Sequence, residues 1–187
     1  SSIRASHYAL DSHAVRKREE GRVHLDGFLS YPSAVYTVPY GVMVPKEVGN
    51  LLLPVPVSGS HIGFSTLRME PCWMAMGQAA GIASALSIDG KVKVQNIDLS
   101  RLQDKLVDQK ATLMYFKDVD YTSPHFRMVQ YLGLRGYLPE WTARLQEPVD
   151  MATLTAWKKL SGKDLPGIEA GKTTRLVALE MIYRKIK

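Results

Sequence analysis

Cysteine is almost missing from this chain. Cys72 is its one cysteine, which excludes an internal disulfide framework and any cysteine-based metal site. That count is compatible with an exported, periplasmic parent. The first residues, SSIRASHYALDSH, are not expected to be a secretory leader, because no apolar run follows the first positive charge. These residues read as mid-protein sequence, so the chain is expected to be a fragment. A concentrated basic surface is also lacking. The net charge is +6 and the pI about 9.4, yet the positives are scattered outside Arg16–Arg18 and the closing YRKIK. With no aromatic-interleaved stripe, nucleic acid is not expected as a partner. His7, His13, His24 and His125 show no metal-ligand spacing, and no metal is expected. The last absence is the most telling. From Pro71 to Ile88 there is no charged residue at all.

What is present is ordinary globular material: 187 residues, 45% hydrophobic and 22% charged, enough for one domain with an appendage. The fold class expected is α+β, with short strands and a long buried helix, followed by a small all-helical C-terminal region. The boundary is placed at 112/113. RVHL (Arg22–Leu25) and AVYTVPYGVMVP are rich in β-branched and aromatic residues and read as strands. Pro39, Pro45, Pro54 and Pro56 keep such strands short or at an edge. NLLLPVPVS, from Asn50, reads as a buried strand that then turns, and KVKV as a short strand before an Asp98-capped helix carrying Leu102 and Leu106. Beyond residue 112, three helices are expected. Ser123-Pro124 opens the first, with Phe126, Val129 and Leu132 on one side; Asp150 caps the second and Thr174 the third.

The uncharged helix begins at Pro71, suited to a first helical position because its missing N–H costs nothing there, and stops near Asp89-Gly90. At 100° per residue, Gly77, Gly81 and Ser84 share a stripe flanked by Trp73, Met74 and Ile88. The opposite side carries Ala75, Met76, Ala79, Ile82, Ala83 and Leu86. A helix apolar all round is buried in protein or in lipid. Each interior glycine costs about 1 kcal/mol relative to alanine, so two at i, i+4 point to something approaching the backbone closely. Three readings follow: a membrane span, a core helix, or a helix whose N-terminus abuts a ligand. The run is short for a span and is interrupted by Gln78, Ser84 and Ser87, so no membrane span is expected.

The flanks favour the ligand. NLLLPVPVSGSH followed by STLRMEPCWMAMGQAAGIASAL resembles the C-terminal FAD-contacting segment of FAD-dependent oxidoreductases. The matching residues are Asn50–Leu52, Ser65, Arg68, Met69, Pro71 and Met76 through Ala85. YTVPYGVMVPK and the Asp11–His13 triplet fit the same family, so the resemblance covers residues 1 to about 112. It implies that the helix N-terminus faces the pyrimidine edge of the flavin, through the backbone of Glu70, Cys72 and Trp73, with Pro71 setting geometry. It implies that Ser58, Gly59 and Ser60 lie near the ribityl chain, and that Gly77 and Gly81 let the helix pack on the nucleotide-binding sheet. Arg68 and His61 become the candidate catalytic side chains, and Asp11 with His13 a candidate acid–base pair.

Each has a plainer alternative: a loop salt bridge for Arg68, a structural histidine for His61, a buried small hydrophobe for Cys72. At the helix N-terminus the thiol would instead be acidified. Two departures count. Gly41 stands where many members carry arginine after the PY pair. No G-x-G-x-x-G follows a strand, so the dinucleotide-binding half that holds the pyrophosphate is outside this sequence. The expected partners are therefore that N-terminal FAD-binding half, a small-molecule substrate, carbohydrate-related in kind, and a second copy meeting through the exposed helix. The chain alone is expected to be inactive and not to retain FAD.

The tail resembles a degenerate S-layer-homology repeat, through Phe116, Asp118, Val119, Leu132, Gly136, Pro148 and Val149. Its T-R-x-E segment is replaced by DMAT. This sustains an alternative function, a non-catalytic carbohydrate or cell-wall-binding module with Trp141 and Tyr137 as a sugar platform.

Overall fold

The computed structural model describes residues 1–15, 17, 20–21 and 26–187. The strand expected at Arg22–Leu25, His24, and Arg16 and Arg18 of the basic run lie outside the described residues. The fold is α+β, and the chain divides into two compact units, Ser1–Leu113 and Met114–Lys187.

In the first unit, β1 (Ser2–Ser6) pairs antiparallel with β4 (Tyr36–Pro39), and β2 (Leu10–Ser12) with β3 (Leu29–Tyr31). Both sheets are two-stranded ribbons, as proline-rich flanks demand. Such ribbons are marginal unless packed on something. Here β1 packs on α2 (Glu70–Gly90) and α3 (Leu99–Asp108). Ile3, Val38, Met76, Ala79, Ala83, Leu102 and Leu106 form the buried contact. Asp98 caps α3 as expected, accepting from the N–H groups of Ser100 and Arg101.

Two local expectations fail. KVKV is not a strand; Val94–Asn96 is a 3₁₀ turn. Asn50–Leu53 forms no ladder, and Leu51 is exposed. A strand needs a neighbour to pair with, and among the described residues none is offered. HIGFSTL is a two-turn helix, α1 (His61–Leu67), started by the Ser60 hydroxyl accepting from Gly63 N–H at 3.0 Å.

The second unit packs α4 (Phe126–Gly133), α5 (Met151–Ser161) and α6 (Arg175–Ile186) around Val129, Leu132, Leu154, Trp157, Leu179 and Ile182. Asp150 and Thr174 cap α5 and α6 through their side chains, as their positions predict. Tyr137, expected on a sugar-facing surface, is instead 3% exposed within this core. Its carbonyl accepts the Trp157 indole N–H at 2.8 Å.

Candidate functional site

Arg68 ends α1 and Met69 begins α2, so the side-chain candidates and the uncharged helix meet at one junction. The Arg68 guanidinium donates to the Asp11 carboxylate at 2.8 Å and to the Asp11 carbonyl at 3.2 Å. It also lies 3.3 Å from His13 Nε2. A guanidinium only donates. A neutral His13 that accepts this bond on Nε2 carries its proton on Nδ1. Once protonated, the same ring can donate to Asp11 Oδ2, 3.5 Å away. His61 Nε2 sits 3.2 Å from the His13 carbonyl. The Tyr8 hydroxyl, which no motif singles out, donates to the Asp11 carboxylate at 3.3 Å.

Arg68, Asp11, His13, His61 and Tyr8 thus form one partly exposed cluster, with a neutralised cation–carboxylate pair beneath two imidazoles. The Arg68–Asp11 contact is a salt bridge, and it also holds His13. It joins residues 57 positions apart, beyond the reach of local pattern. Ser58, Gly59 and Ser60 lie together and exposed at the start of α1, and Ser58 N–H is held by the Val42 carbonyl at 2.7 Å.

α2 opens without a side-chain cap, with Glu70 exposed in its first turn and Pro71 beside it. The Cys72 and Trp73 N–H groups both turn back onto the Met69 carbonyl, at 2.9 and 3.1 Å. The Trp73 indole N–H is enclosed with no hydrogen-bond partner among the described residues. Burial pushes the Cys72 thiol up, a shift offset in part by the Arg4 charge and a Ser6 hydrogen bond. The acidifying effect expected of a helix N-terminus is therefore overcome by desolvation, and the thiol stays protonated at neutral pH.

Further along α2, the side facing β1 and α3 is buried at Met76, Ala79 and Ala83. The other side is open. Met74 and Ile88 are each 75% exposed, and Gly77, Gly81 and Ala85 lie between them on the surface. A Cβ added at Gly77 or Gly81 would meet nothing within 4 Å. None of the described residues makes the close approach that the two glycines would permit.

An uncharged helix of this kind, opening beside an arginine–histidine–carboxylate cluster, is suited to line a cofactor site. The sequence model of the FAD dependent oxidoreductases matches residues 1–106, more than half of the chain, and the chain belongs to that family. No significant match was found among curated proteins or solved structures. The family implies FAD. The residues present fit one edge of it: an uncapped helix start, a buried indole N–H without a partner, and a bare stripe wide enough for another backbone. Among the described residues no helix is long and apolar enough to cross a membrane, and no group of three or more metal-ligating side chains occurs.

Proposed function

We propose that residues 1–112 are the C-terminal, flavin-contacting segment of an FAD-dependent oxidoreductase, completed by a dinucleotide-binding half that these 187 residues do not contain. The observation that carries this reading is the bare stripe Met74, Gly77, Gly81, Ala85 and Ile88 on the helix inside the matched region. A helix face left to water normally carries charge. One that carries glycine and methionine instead is shaped for a partner surface.

When bound, FAD supplies the redox chemistry. The chain supplies the setting. The N-terminus of α2, through Glu70 and the first turn with Pro71, Cys72 and Trp73, presents the positive end of the helix dipole to the cofactor's pyrimidine edge. Ser58, Gly59 and Ser60 line the path of the ribityl chain. Gly77 and Gly81 admit the nucleotide-binding sheet. Arg68, fixed by Asp11, orients a small, carbohydrate-related substrate, and His61 and His13 hold or move a proton beside it. Alone, the chain lacks the groups that grip the pyrophosphate and is inactive, and two copies meet through the same stripe.

The test is an absorbance spectrum of the purified chain and of a longer protein that includes the upstream half. Flavin absorbance in the longer protein and none in the chain supports the split site. If neither retains flavin, the cofactor assignment for these residues is lost. Dimerisation is read separately by light scattering: Met74→Glu is expected to shift the chain towards monomer.

A second reading is favoured by one feature of the other unit. Tyr115 and Trp141 are both exposed, with ring centroids 6.2 Å apart, and could hold a sugar ring of a cell-wall polymer. Pull-down on insoluble wall polysaccharide, lost in Trp141→Ala, would put this module reading forward. The bare stripe on α2 is not explained by it.

A further inference from the structure

We propose that the end of the second unit at which α5 and α6 finish is a cationic face that docks on an anionic lipid surface. Its positive charges are scattered along the sequence, and the fold gathers them.

α5 and α6 run side by side in one direction. Pro148 bridges Thr174 where they begin, and Leu160, Lys163 and Ile186 line one open cleft where they end, together with Arg135 and Tyr137. Helices arranged this way bring their negative dipole ends together, and cations collect there. Lys158 and Lys159 stand in the last turn of α5, and Arg184 and Lys185 in the last turn of α6. Lys187 and Arg135 lie over the same Tyr131 ring, at 5.5 and 3.4 Å from its centroid. Every one of these cations except Arg135 is exposed, as is Lys163.

Helix capping accounts for only part of this charge, because each helix end carries about half a negative charge. The Lys163 and Lys185 ammonium groups donate to the carbonyls of Lys185 and Asp164, at 2.7 and 3.0 Å. Lys187 donates to the Tyr183 hydroxyl at 3.0 Å, and Arg135 to the Tyr131 carbonyl at 3.1 Å. None of these partners is a carboxylate. The acidic side chains of the unit are engaged elsewhere. Glu140 and Glu147 pair with Arg144, and Glu169 with Lys172. Asp118 and Asp150 accept from the backbone N–H groups of Ala143, Arg144 and Thr153. Asp164, next to Lys163, brings one carboxylate to a face that holds several uncompensated cations.

The occupant is identified by what sits among the charges. Leu160 is 50% exposed and falls between Lys159 and Lys163 in the chain, with half-buried Ile186 in the same cleft. A cluster of about four to eight basic residues around an apolar tip fits a bilayer: headgroups take the charge, and the acyl boundary takes the leucine. A soluble polyanion would meet the charge and leave Leu160 in water. Tyr137 is buried in the core and offers no face on which a base could stack.

This inference does not rest on the flavin reading, because the face lies outside residues 1–106. Its test is co-sedimentation of the full chain with vesicles of phosphatidylcholine alone and of phosphatidylcholine with phosphatidylglycerol, at low and high salt. Binding to the mixed vesicles only, weakened by salt, is expected. Lys159→Gln should weaken it about fivefold, the effect of one cation near an anionic surface, and Leu160→Asn about tenfold. Lys172→Gln, at the opposite end of both helices and paired with Glu169, should leave it unchanged. Thermal melts check that the variants are folded. No binding, equal binding to neutral vesicles, or binding unchanged by Lys159→Gln overturns the proposal. Vesicle binding that Leu160→Asn leaves undiminished, with duplex DNA bound as tightly at equal phosphate concentration, overturns it in favour of a soluble polyanion.

Discussion

Trp157 in Met114–Lys187 and Met74 in Ser1–Leu113 are both large apolar side chains on helices, and they meet opposite fates. Trp157 is 2% exposed, its indole N–H bonded to Tyr137 and its ring among Val129, Leu154 and Leu179. Helix α5 around it alternates buried and wet positions, with Lys158 and Lys159 in its last turn. Helix α2 also has a buried side, but between Pro71 and Ile88 its outer side has no charge to meet water. The smaller unit satisfies its helices internally. The larger one carries a helix with a bare outer side that no described residue covers.

That contrast can be broken or sharpened by substitution. The largest effect is expected from Trp157→Ala, which empties the core of the smaller unit and should cost about 3–5 kcal/mol in urea denaturation. Next comes a pair two residues apart on α2. In the chain, dilute enough to be monomeric, Met76→Ala should cost about 2–4 kcal/mol, whereas Met74→Ala should stay within about 0.5 kcal/mol. Equal losses there would mean that the outer side of α2 is covered within one copy. Gly77→Ala should stabilise the monomeric chain by up to about 1 kcal/mol, because it removes a helix penalty and meets no neighbour among the described residues. A loss instead would show that something already lies against that glycine.

The alkaline limb of stability offers a further check. Burial pushes the Tyr40 phenol up to about 12, and its hydroxyl donates to the Val94 carbonyl at 2.9 Å. The neutral phenol is the form the fold favours. Its contribution is complete below the unfolded value of about 10 and is lost as pH rises towards the folded value. A Tyr40→Phe chain should show a flatter stability profile between those limits, measured by thermal melts across pH.

Signals carried by neighbours in sequence were legible. Asp98, Asp150 and Thr174 announce helices because a capping side chain reaches only two or three residues ahead. The span of α2 followed from Pro71 and from the uncharged run, although its left-handed C-cap falls on Lys91, not on Gly90. What failed depended on distant partners. Asn50–Leu53 has strand composition and no strand to pair with. Tyr137 read as surface aromatic until helices from three parts of the chain closed over it. At the candidate site, Arg68 and His61 were visible as residue types in a motif. Their grouping with Tyr8, Asp11 and His13 depends on β2 folding back onto α1.

The central claim, that the bare stripe of α2 is the seat of the missing flavin-binding half, is tested most directly by Gly77→Leu. It would be made in the isolated chain and in a longer protein that includes the upstream segment, with flavin content and melting temperature measured for each. The account predicts that the isolated chain, dilute enough to be monomeric, melts no lower than before while the longer protein loses its flavin. Full flavin retention by the longer protein carrying leucine at that position would contradict it.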